Sequence, residues 1–290
     1  NPFQGLLPGT SFNGATIPRN QLLRPFPQFG NIVTEEYVGS DSYHAGSIVL
    51  QKRFSNGNSL LTTYTRSRLR DELFFPNPAD PVLEDRVSPN DRPNRFTLGA
   101  TYRLPFGKAQ KWGADWAGVP QAILGGWQLS ASYQFQSGFP LTWGVSSGIA
   151  GTNIYYDPAR DPRDLRSSLG DGDCGIQGLD CPAWDTSGFY LPDGSRTNTA
   201  IQLTANNVRT FPSTLPDVRT DNLHLLDLGL YKTFDLPRDM TLQIRVEAIN
   251  ALNYTVLWNP NLDPRNAAFG KVNQDRNNPR DIQLGARLTF

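Results

Sequence analysis

The residues of this 290-residue chain that could form a disulfide or contact a ligand are concentrated between positions 155 and 185, in YYDPARDPRDLRSSLGDGDCGIQGLDCPAWD. Cys174 and Cys181 are the only cysteines, and two cysteines this close in a polar loop fit a disulfide of an oxidising compartment. Loops often carry binding residues, so we expect ligand contacts here, with a solvated loop pinned by its disulfide as the alternative. The rings that could stack on a ligand are Tyr155, Tyr156 and Trp184.

Catalytic and metal chemistry find little support in the sequence. His44 and His224 have no Ser or Cys partner at a usable spacing. The aspartates of DGDCGIQGLD have a calcium-like spacing but lack the closing glutamate, and no glycine-rich phosphate loop is present. Asp161 and Asp164 lie among arginines, where a solvated, salt-bridged loop is the simpler explanation. We therefore expect neither an enzyme nor a bound cofactor.

The bulk composition excludes some partners. The chain has 27 basic and 27 acidic residues and a formal net charge of zero, which gives no electrostatic reason to expect nucleic acid. No apolar run approaches the roughly 18 residues of a membrane-spanning helix. The chain opens on Asn1 in a loop-like stretch without a signal peptide, so we expect a fragment or a processed C-terminal piece.

The elements that must position these loops are strands, because apolar and polar residues alternate along the chain. Between Trp127 and Phe135, apolar residues alternate with glutamine and serine, and the same pattern runs from Ile282 to Phe290. The dipeptide Asn56-Gly57 is a strong hairpin signal. Because most termini fray, the apolar Phe290 predicts a last residue buried in protein or lipid. The predicted strands are 42–54, 60–70, 94–104, 126–143, 223–234, 240–250 and 281–290.

The connections between these strands alternate between short and long. The long ones, 71–93, 144–221 and 251–280, would all lie at one end, as external loops do in outer-membrane barrels. One apolar face per strand also suits a soluble sandwich, but the length of segment 126–143 and the aromatic residues near both strand ends favour lipid. The sequence predicts an all-β, antiparallel transmembrane barrel. Because barrels of this kind have an even number of strands, seven strands imply further ones upstream.

The alternation assigns each strand a lipid face and a wet face. Charged residues on the wet face would guide a solute or form ion pairs across neighbouring strands. The predicted lumen-facing residues are Arg103, Asp227, Arg245, Glu247 and Arg287. The predicted lipid-facing and girdle residues are Phe96, Tyr102, Trp127, Tyr133, Phe135, Phe139 and Trp143.

Seven segments resemble, in order, the C-terminal part of TonB-dependent outer-membrane receptors, most closely the Oar-like group with a carboxypeptidase-regulatory-like domain. They are YHAGSIVLQKRFSNGNSLLTTYT, RFTLGATYRLPFGKAQKW, ILGGWQLSASYQFQSGFPLTW, LDLGLYKTFDL, RVEAINALNYT, FGKV and DPRDIQLGARLTF. The resemblance covers positions from about 40 to 290 except 144–221. Arg66 departs from it, since the family usually has an aromatic residue there. The ending resembles the signal read by the barrel-assembly machinery, through Gln283, Gly285, Leu288 and Phe290.

The resemblance implies a barrel of about 22 strands, with a plug and N-terminal domains that this chain does not contain. The whole protein would import an unidentified solute across the outer membrane of a Gram-negative bacterium, powered by TonB acting on the plug. The lumen-facing charges would then contact the plug or the solute. The partners implied are outer-membrane lipid, the barrel-assembly machinery and TonB. Two alternatives stay open: a surface protein for adhesion or structure without transport, and a secreted sandwich that binds carbohydrate.

Overall fold

The computed structural model describes residues 1–142 and 212–290, apart from 31, 33, 34, 36, 55, 56, 74, 77–79, 109, 263–265 and 273. The chain divides into two compact units, Asn1–Gly39 and Ser40–Phe290. The first unit holds only a 3-10 turn, Ser11–Asn13, and the short helix α1, Arg19–Leu22. In the described part of the chain, no helix is long and apolar enough to cross a membrane.

The second unit is built on antiparallel strands, which confirms the predicted all-β antiparallel class. Seven long strands form one sheet in the order β1-β2-β4-β5-β8-β9-β10, β3 pairs with β2, and β6 and β7 form a separate pair. The strands are β1 Ser40–Arg53, β2 Ser59–Glu72, β3 Arg86–Val87, β4 Asn94–Arg103, β5 Trp127–Gln136, β6 Pro140–Thr142, β7 Thr214–Arg219, β8 Leu223–Asp235, β9 Thr241–Ile249 and β10 Asp281–Thr289. Helix α2, Gly118–Leu124, lies between β4 and β5.

Two ends of the sheet follow from this order. The described parts of the connections 54–58, 104–126 and 236–240 lie at one end, which is named here the turn end. The described parts of 73–93, 137–142, 212–222 and 250–280 lie at the other end and are named here the loop layer. The loop layer contains β3 and β7, which the alternation did not predict, and β6, which lies within the predicted strand 126–143.

The prediction of one strand over 126–143 is corrected by the structure. β5 ends at Gln136, and the chain turns away before it forms β6. At this bend the N–H of Gly138 donates to Asn222 Oδ1 (3.1 Å), and the N–H of Phe139 donates to Thr220 Oγ1 (2.9 Å). These bonds to the segment before β8 replace the ladder bonds that a continuing strand would make.

The register of the pairs places all the predicted apolar residues of the central strands on one face. Directly opposed residues of an antiparallel pair share a face. The central row of this apolar face is Ala100, Ala131, Leu228, Ala248 and Ile282. The next row towards the turn end is Tyr102, Leu129, Leu230, Val246 and Leu284. The opposite, polar face carries rows such as Thr101, Ser130, Gly229, Glu247 and Gln283.

The long strands enclose no apolar core among the described residues. The buried apolar side chains all belong to the loop layer: Leu141, Leu215, Val218, Val256, Phe269 and Val272. The apolar face of the sheet stays exposed instead, and Leu284 keeps 80% of its surface accessible. A soluble sandwich would bury this face against a second sheet. The exposed apolar face of the described strands therefore does not fit the alternative of a secreted sandwich.

The sheet is open, with β1 and β10 at its edges in the described part of the chain. The sequence predicts that Phe290 is buried in protein or in lipid; it is 95% exposed, so the described part of the chain does not bury it. Phe290 is exposed because of its position at the edge of the sheet. Phe290 directly follows β10, which has β9 on one side only, and the parity of Leu288 puts it on the uncovered apolar face.

Candidate functional site

The polar face of the sheet holds a hollow of about 470 Å³. It extends over four neighbouring strands, β4, β5, β8 and β9, and reaches β2 at Ser59 and β10 at Gln283. The polar side chains that line it are Ser59, Thr101, Ser130, Ser132, Asp227, Tyr231, Glu247 and Gln283. This surface offers hydroxyl, amide and carboxylate groups to water or to a polar solute.

Local bonds hold the polar groups of the hollow in place. Tyr231 Oη donates to Glu247 Oε1 over 2.9 Å, and Ser130 Oγ lies 3.4 Å from the same hydroxyl. Arg245 Nε lies 3.6 Å from Glu247 Oε2, within one strand rather than across neighbouring strands. Gly229 leaves room for this network, because a Cβ there would lie 2.7 Å from both Ser130 Oγ and Tyr231 Oη.

The other predicted lumen-facing charges lie on the same face but do not gather into one cluster. Asp227 Oδ1 accepts the N–H of Asn250 (2.9 Å) at the loop end. Arg103 lies at the turn end, where its guanidinium would be 3.4 Å from a Cβ on Gly57. Arg287 is exposed and stands opposite Gln243 in the register. The charges are thus spread over the length of the polar face.

Aromatic side chains gather at the loop end of the apolar face. The ring centroids of Phe96 and Tyr133 are 6.0 Å apart, and Tyr133 Oη hydrogen-bonds His224 Nδ1 over 3.0 Å. The His224 ring also lies 5.0 Å from Phe135 and 4.8 Å from Tyr254. Sequence reasoning placed three of these rings on the apolar face but missed His224, although it shares the parity of Leu226.

A second aromatic group marks the turn end of the apolar face. Trp127 stands opposite Lys232, whose Nζ lies 5.4 Å from the Trp127 ring centroid and 5.0 Å from that of Phe234. The same amine donates to the carbonyl of Gly125. Sequence reasoning also missed Lys232. It stands two residues after Leu230, and this spacing places it on the same face of the strand.

Phe139 does not belong to either aromatic group, which corrects the prediction that it lies on a lipid-facing girdle. Because β5 ends at Gln136, Phe139 enters the loop layer, where the Arg92 guanidinium lies 3.7 Å from its ring centroid. Arg92 Nη1 also donates to Gln136 Oε1 (2.6 Å). Burial lowers the pKa of Arg92, and the neighbouring charges of Arg276 and Arg95 lower it further.

A buried ion pair joins three parts of the loop layer. Arg219 Nη2 lies 2.7 Å from Asp91 Oδ2, and the Asp91 side chain is only 3% exposed. Arg219 Nη1 donates to the carbonyls of Asp91 (3.0 Å) and Gly138 (3.2 Å). Asp91 Oδ1 accepts the N–H of Leu69 over 2.7 Å, which ties the pair to β2.

A second pair lies next to β3. Arg86 Nε lies 2.7 Å from Asp71 Oδ1, and Arg86 Nη1 donates to Ser213 Oγ over 2.9 Å. The N–H of Ser213 donates to Glu84 Oε1 (3.1 Å). These contacts hold β7 against β2 and β3 across more than 120 positions of sequence, a distance over which no local pattern could have predicted them.

Several predicted site residues lie outside the described part of the chain: Trp143, Tyr155, Tyr156, Cys174, Cys181 and Trp184. The predicted assembly-signal residues Gln283, Gly285 and Leu288 lie in β10, and a Cβ on Gly285 would lie 2.5 Å from Arg245 Nε. In the part of the chain that the structure describes, no three His, Cys, Asp or Glu side chains are grouped to hold a metal ion.

An antiparallel sheet with an uncovered apolar face, a hydrated opposite face and aromatic groups at both ends has the features of a transmembrane barrel wall. The model of the outer membrane beta barrel domain family matches residues 2–283, and the chain belongs to that family. Membership places it in the outer membrane. No curated protein and no solved structure shows a significant match.

Proposed function

We propose that this chain forms part of the barrel of a TonB-dependent outer-membrane receptor of the Oar-like group, which imports a solute. The family match supports the barrel and its membrane. The seven segments between about 40 and 290 support the finer assignment by their resemblance to the C-terminal part of such receptors.

The observation that carries the proposal is the continuous polar face. Its rows cross the sheet from β4 to β10 without an apolar interruption at the level of Thr101, Ser130 and Glu247. A receptor that moves a polar solute needs such a hydrated wall, whereas a barrel filled by its own apolar side chains does not. The hollow on this face provides the space.

Several further assignments follow from this proposal. The chain would supply about seven C-terminal strands of a barrel of some 22 strands, with a plug in the lumen. Gln283, Gly285, Leu288 and Phe290 would be recognised by the barrel-assembly machinery of a Gram-negative bacterium. TonB would act on the plug, and the chain itself would have no enzymatic role.

Uptake measurements test the proposal. A strain that lacks the gene should lose the uptake of at least one scarce solute from a panel of iron chelates, peptides and glycans. Uptake of the same solute should also stop when TonB is deleted, because the energy would come through the plug. Restoring the gene on a plasmid is the control.

The competing function is adhesion or structure without transport. Under that alternative the deletion strain would take up the whole panel normally but would attach less to surfaces or lose envelope integrity. That result, together with the absence of a plug and a TonB box from the gene product, would overturn the transport proposal.

A further inference from the structure

The connection between β4 and β5 forms an apolar pocket at the turn end of the sheet. The pocket has a volume of about 370 Å³. Its lining residues are Leu104, Phe106, Trp116, Leu124, Trp127 and Leu230. Trp127 and Leu230 lie on the apolar face of the sheet, and the N–H of Leu104 donates to the carbonyl of Trp127 (3.0 Å). The pocket is therefore an extension of the apolar face into the connection.

Specific contacts hold the connection in this shape. Trp127 Nε1 donates to the carbonyl of Ile123 (2.8 Å), which fixes the end of α2 beside the sheet. Gln121 Oε1 accepts the N–H of Lys108 over 2.7 Å. Gly107 has a φ of +108°, and a Cβ there would lie 2.6 Å from the Cα of Gly125. The pocket is thus formed by the chain before any ligand arrives.

The outer surface of the connection is apolar as well. Trp112 is 50% exposed, Val119 69% and Ile123 60%. Water is an unfavourable neighbour for exposed apolar side chains of this size. The pocket shares Trp127 and Leu230 with the apolar face, which faces lipid in a barrel of the outer membrane. In such a barrel, the pocket therefore opens next to lipid acyl chains.

The charges around the pocket suit the polar part of a phospholipid. Residues 104–126 contain Lys108 and Lys111 and one acidic residue, Asp115. Lys111 Nζ lies 5.2 Å from the ring centroid of Trp112. Lysine and tryptophan side chains with an apolar body and a polar tip favour the membrane interface, where lipid phosphates lie.

We propose that this pocket binds one acyl chain of a phospholipid from the leaflet at the turn end, with the headgroup phosphate near Lys108 and Lys111. The inference rests on membership in the outer-membrane family and not on the proposed transport function. A barrel that served adhesion without transport would bind the same lipid. The lipid-binding proposal and the transport proposal can therefore be overturned separately.

Quenching of tryptophan fluorescence by brominated lipid tests the proposal. In the protein purified from outer membranes, Trp112, Trp143, Trp184 and Trp258 are replaced by Phe, so that Trp127 keeps its bond to Ile123. The Trp116 signal is the difference in emission between this protein and the same protein with Trp116→Phe. The protein is returned to vesicles of phosphatidylethanolamine and phosphatidylglycerol, with or without bromine at mid-chain. Trp116 should lose as much emission as Leu228→Trp in the tryptophan-free background, because Leu228 lies in the central row of the apolar face. A variant that keeps only Trp258, in the loop layer, should be quenched least.

Two charge substitutions distinguish an acyl chain in the pocket from lipid around the connection. Leu124→Glu places a carboxylate in the lining and should reduce the quenching of Trp116. Ala122→Glu adds the same charge on the exposed side of α2, outside the lining, and should not reduce it. Retained mobility of unheated protein on a gel shows that each variant is folded.

Two results would overturn the proposal. Quenching of Trp116 no stronger than that of Trp258 would show that no acyl chain enters the pocket. Equal loss of quenching with Ala122→Glu and Leu124→Glu would show a general attraction of the connection to the membrane. If Leu124→Glu does not fold, the comparison of Trp116 with Leu228→Trp and Trp258 decides alone.

Discussion

At the scale of single residues, Asp91 carries a buried carboxylate whose two oxygens serve different partners. One oxygen accepts the Leu69 N–H, and the other pairs with Arg219. A buried pair contributes little net stability when intact, because desolvation offsets the attraction, but removing one partner leaves an unpaired charge. The pair therefore acts mainly as a fixed connection between β2 and β7.

We expect Asp91→Ala to lower the free energy of unfolding by about 3–5 kcal/mol, because Arg219, whose side chain is only 20% exposed, would lose its counter-charge. The measurement is the urea midpoint of the protein in lipid vesicles. The control is Asp85→Ala, since the Asp85 side chain is 58% exposed in its pair with Arg70 and should cost about 0–1 kcal/mol. Equal costs for the two variants would contradict the role assigned to Asp91.

The residue scale also shows what the sequence can and cannot predict about the site. The parity of each strand placed Asp227 and Glu247 on one face before the structure was known. It did not predict that Glu247 would be held by Tyr231, because that bond depends on the register between β8 and β9. The Asp91–Arg219 pair has no local signal at all, since 128 positions separate its members.

At the scale of elements, the main difference between sequence and structure is the end of β5. The apolar parity is interrupted at Ser137 but resumes at Phe139 and Leu141, so the sequence was interpreted as one long strand. The chain bends because Gly138 lies directly against the backbone of Thr220, a close approach that only a residue without Cβ permits. Alternation reports which face a side chain prefers, but it carries no information about a segment that approaches from 80 residues away.

The bend gives a second prediction. Gly138→Ala should destabilise the protein by about 1–3 kcal/mol, because the new Cβ would clash with the carbonyl of Thr220. Gly99→Ala in β4 is the matched control, because nothing lies within 4 Å of a Cβ there. That variant should be neutral or should stabilise by about 0.4–1 kcal/mol through the unfolded chain. Urea unfolding of the protein in vesicles measures the free energy of unfolding of both variants. If Gly99→Ala lowered it as much as Gly138→Ala, the explanation of the bend would be wrong.

At the scale of the whole molecule, the distribution of burial follows the membrane assignment. The described apolar core lies only in the loop layer, around residues such as Val256 and Phe269, while the long strands keep their apolar face exposed. In a soluble protein, the apolar face of the sheet would be buried against a core. The fold class could be predicted from the sequence because face preference is a local, period-2 property.

The exposed face predicts the behaviour of the purified protein. In detergent micelles the protein should be monodisperse, because detergent chains cover the apolar rows that contain Leu230 and Leu284. When the detergent is removed in plain buffer, it should associate. Size-exclusion chromatography with light scattering measures both states. A folded protein that stays monodisperse without detergent would show that its apolar face has no need of lipid.

In a barrel wall of this kind, the row through Ala131 faces lipid and the neighbouring row through Ser132 faces water. Ala131→Arg and Ser132→Arg introduce the same side chain at adjacent positions of β5. The measurement is the free energy of unfolding in vesicles. We predict that Ala131→Arg costs about 2–4 kcal/mol, as arginine does near the bilayer midplane, and that Ser132→Arg costs much less. A larger cost for Ser132→Arg than for Ala131→Arg would reverse the two faces and contradict the account.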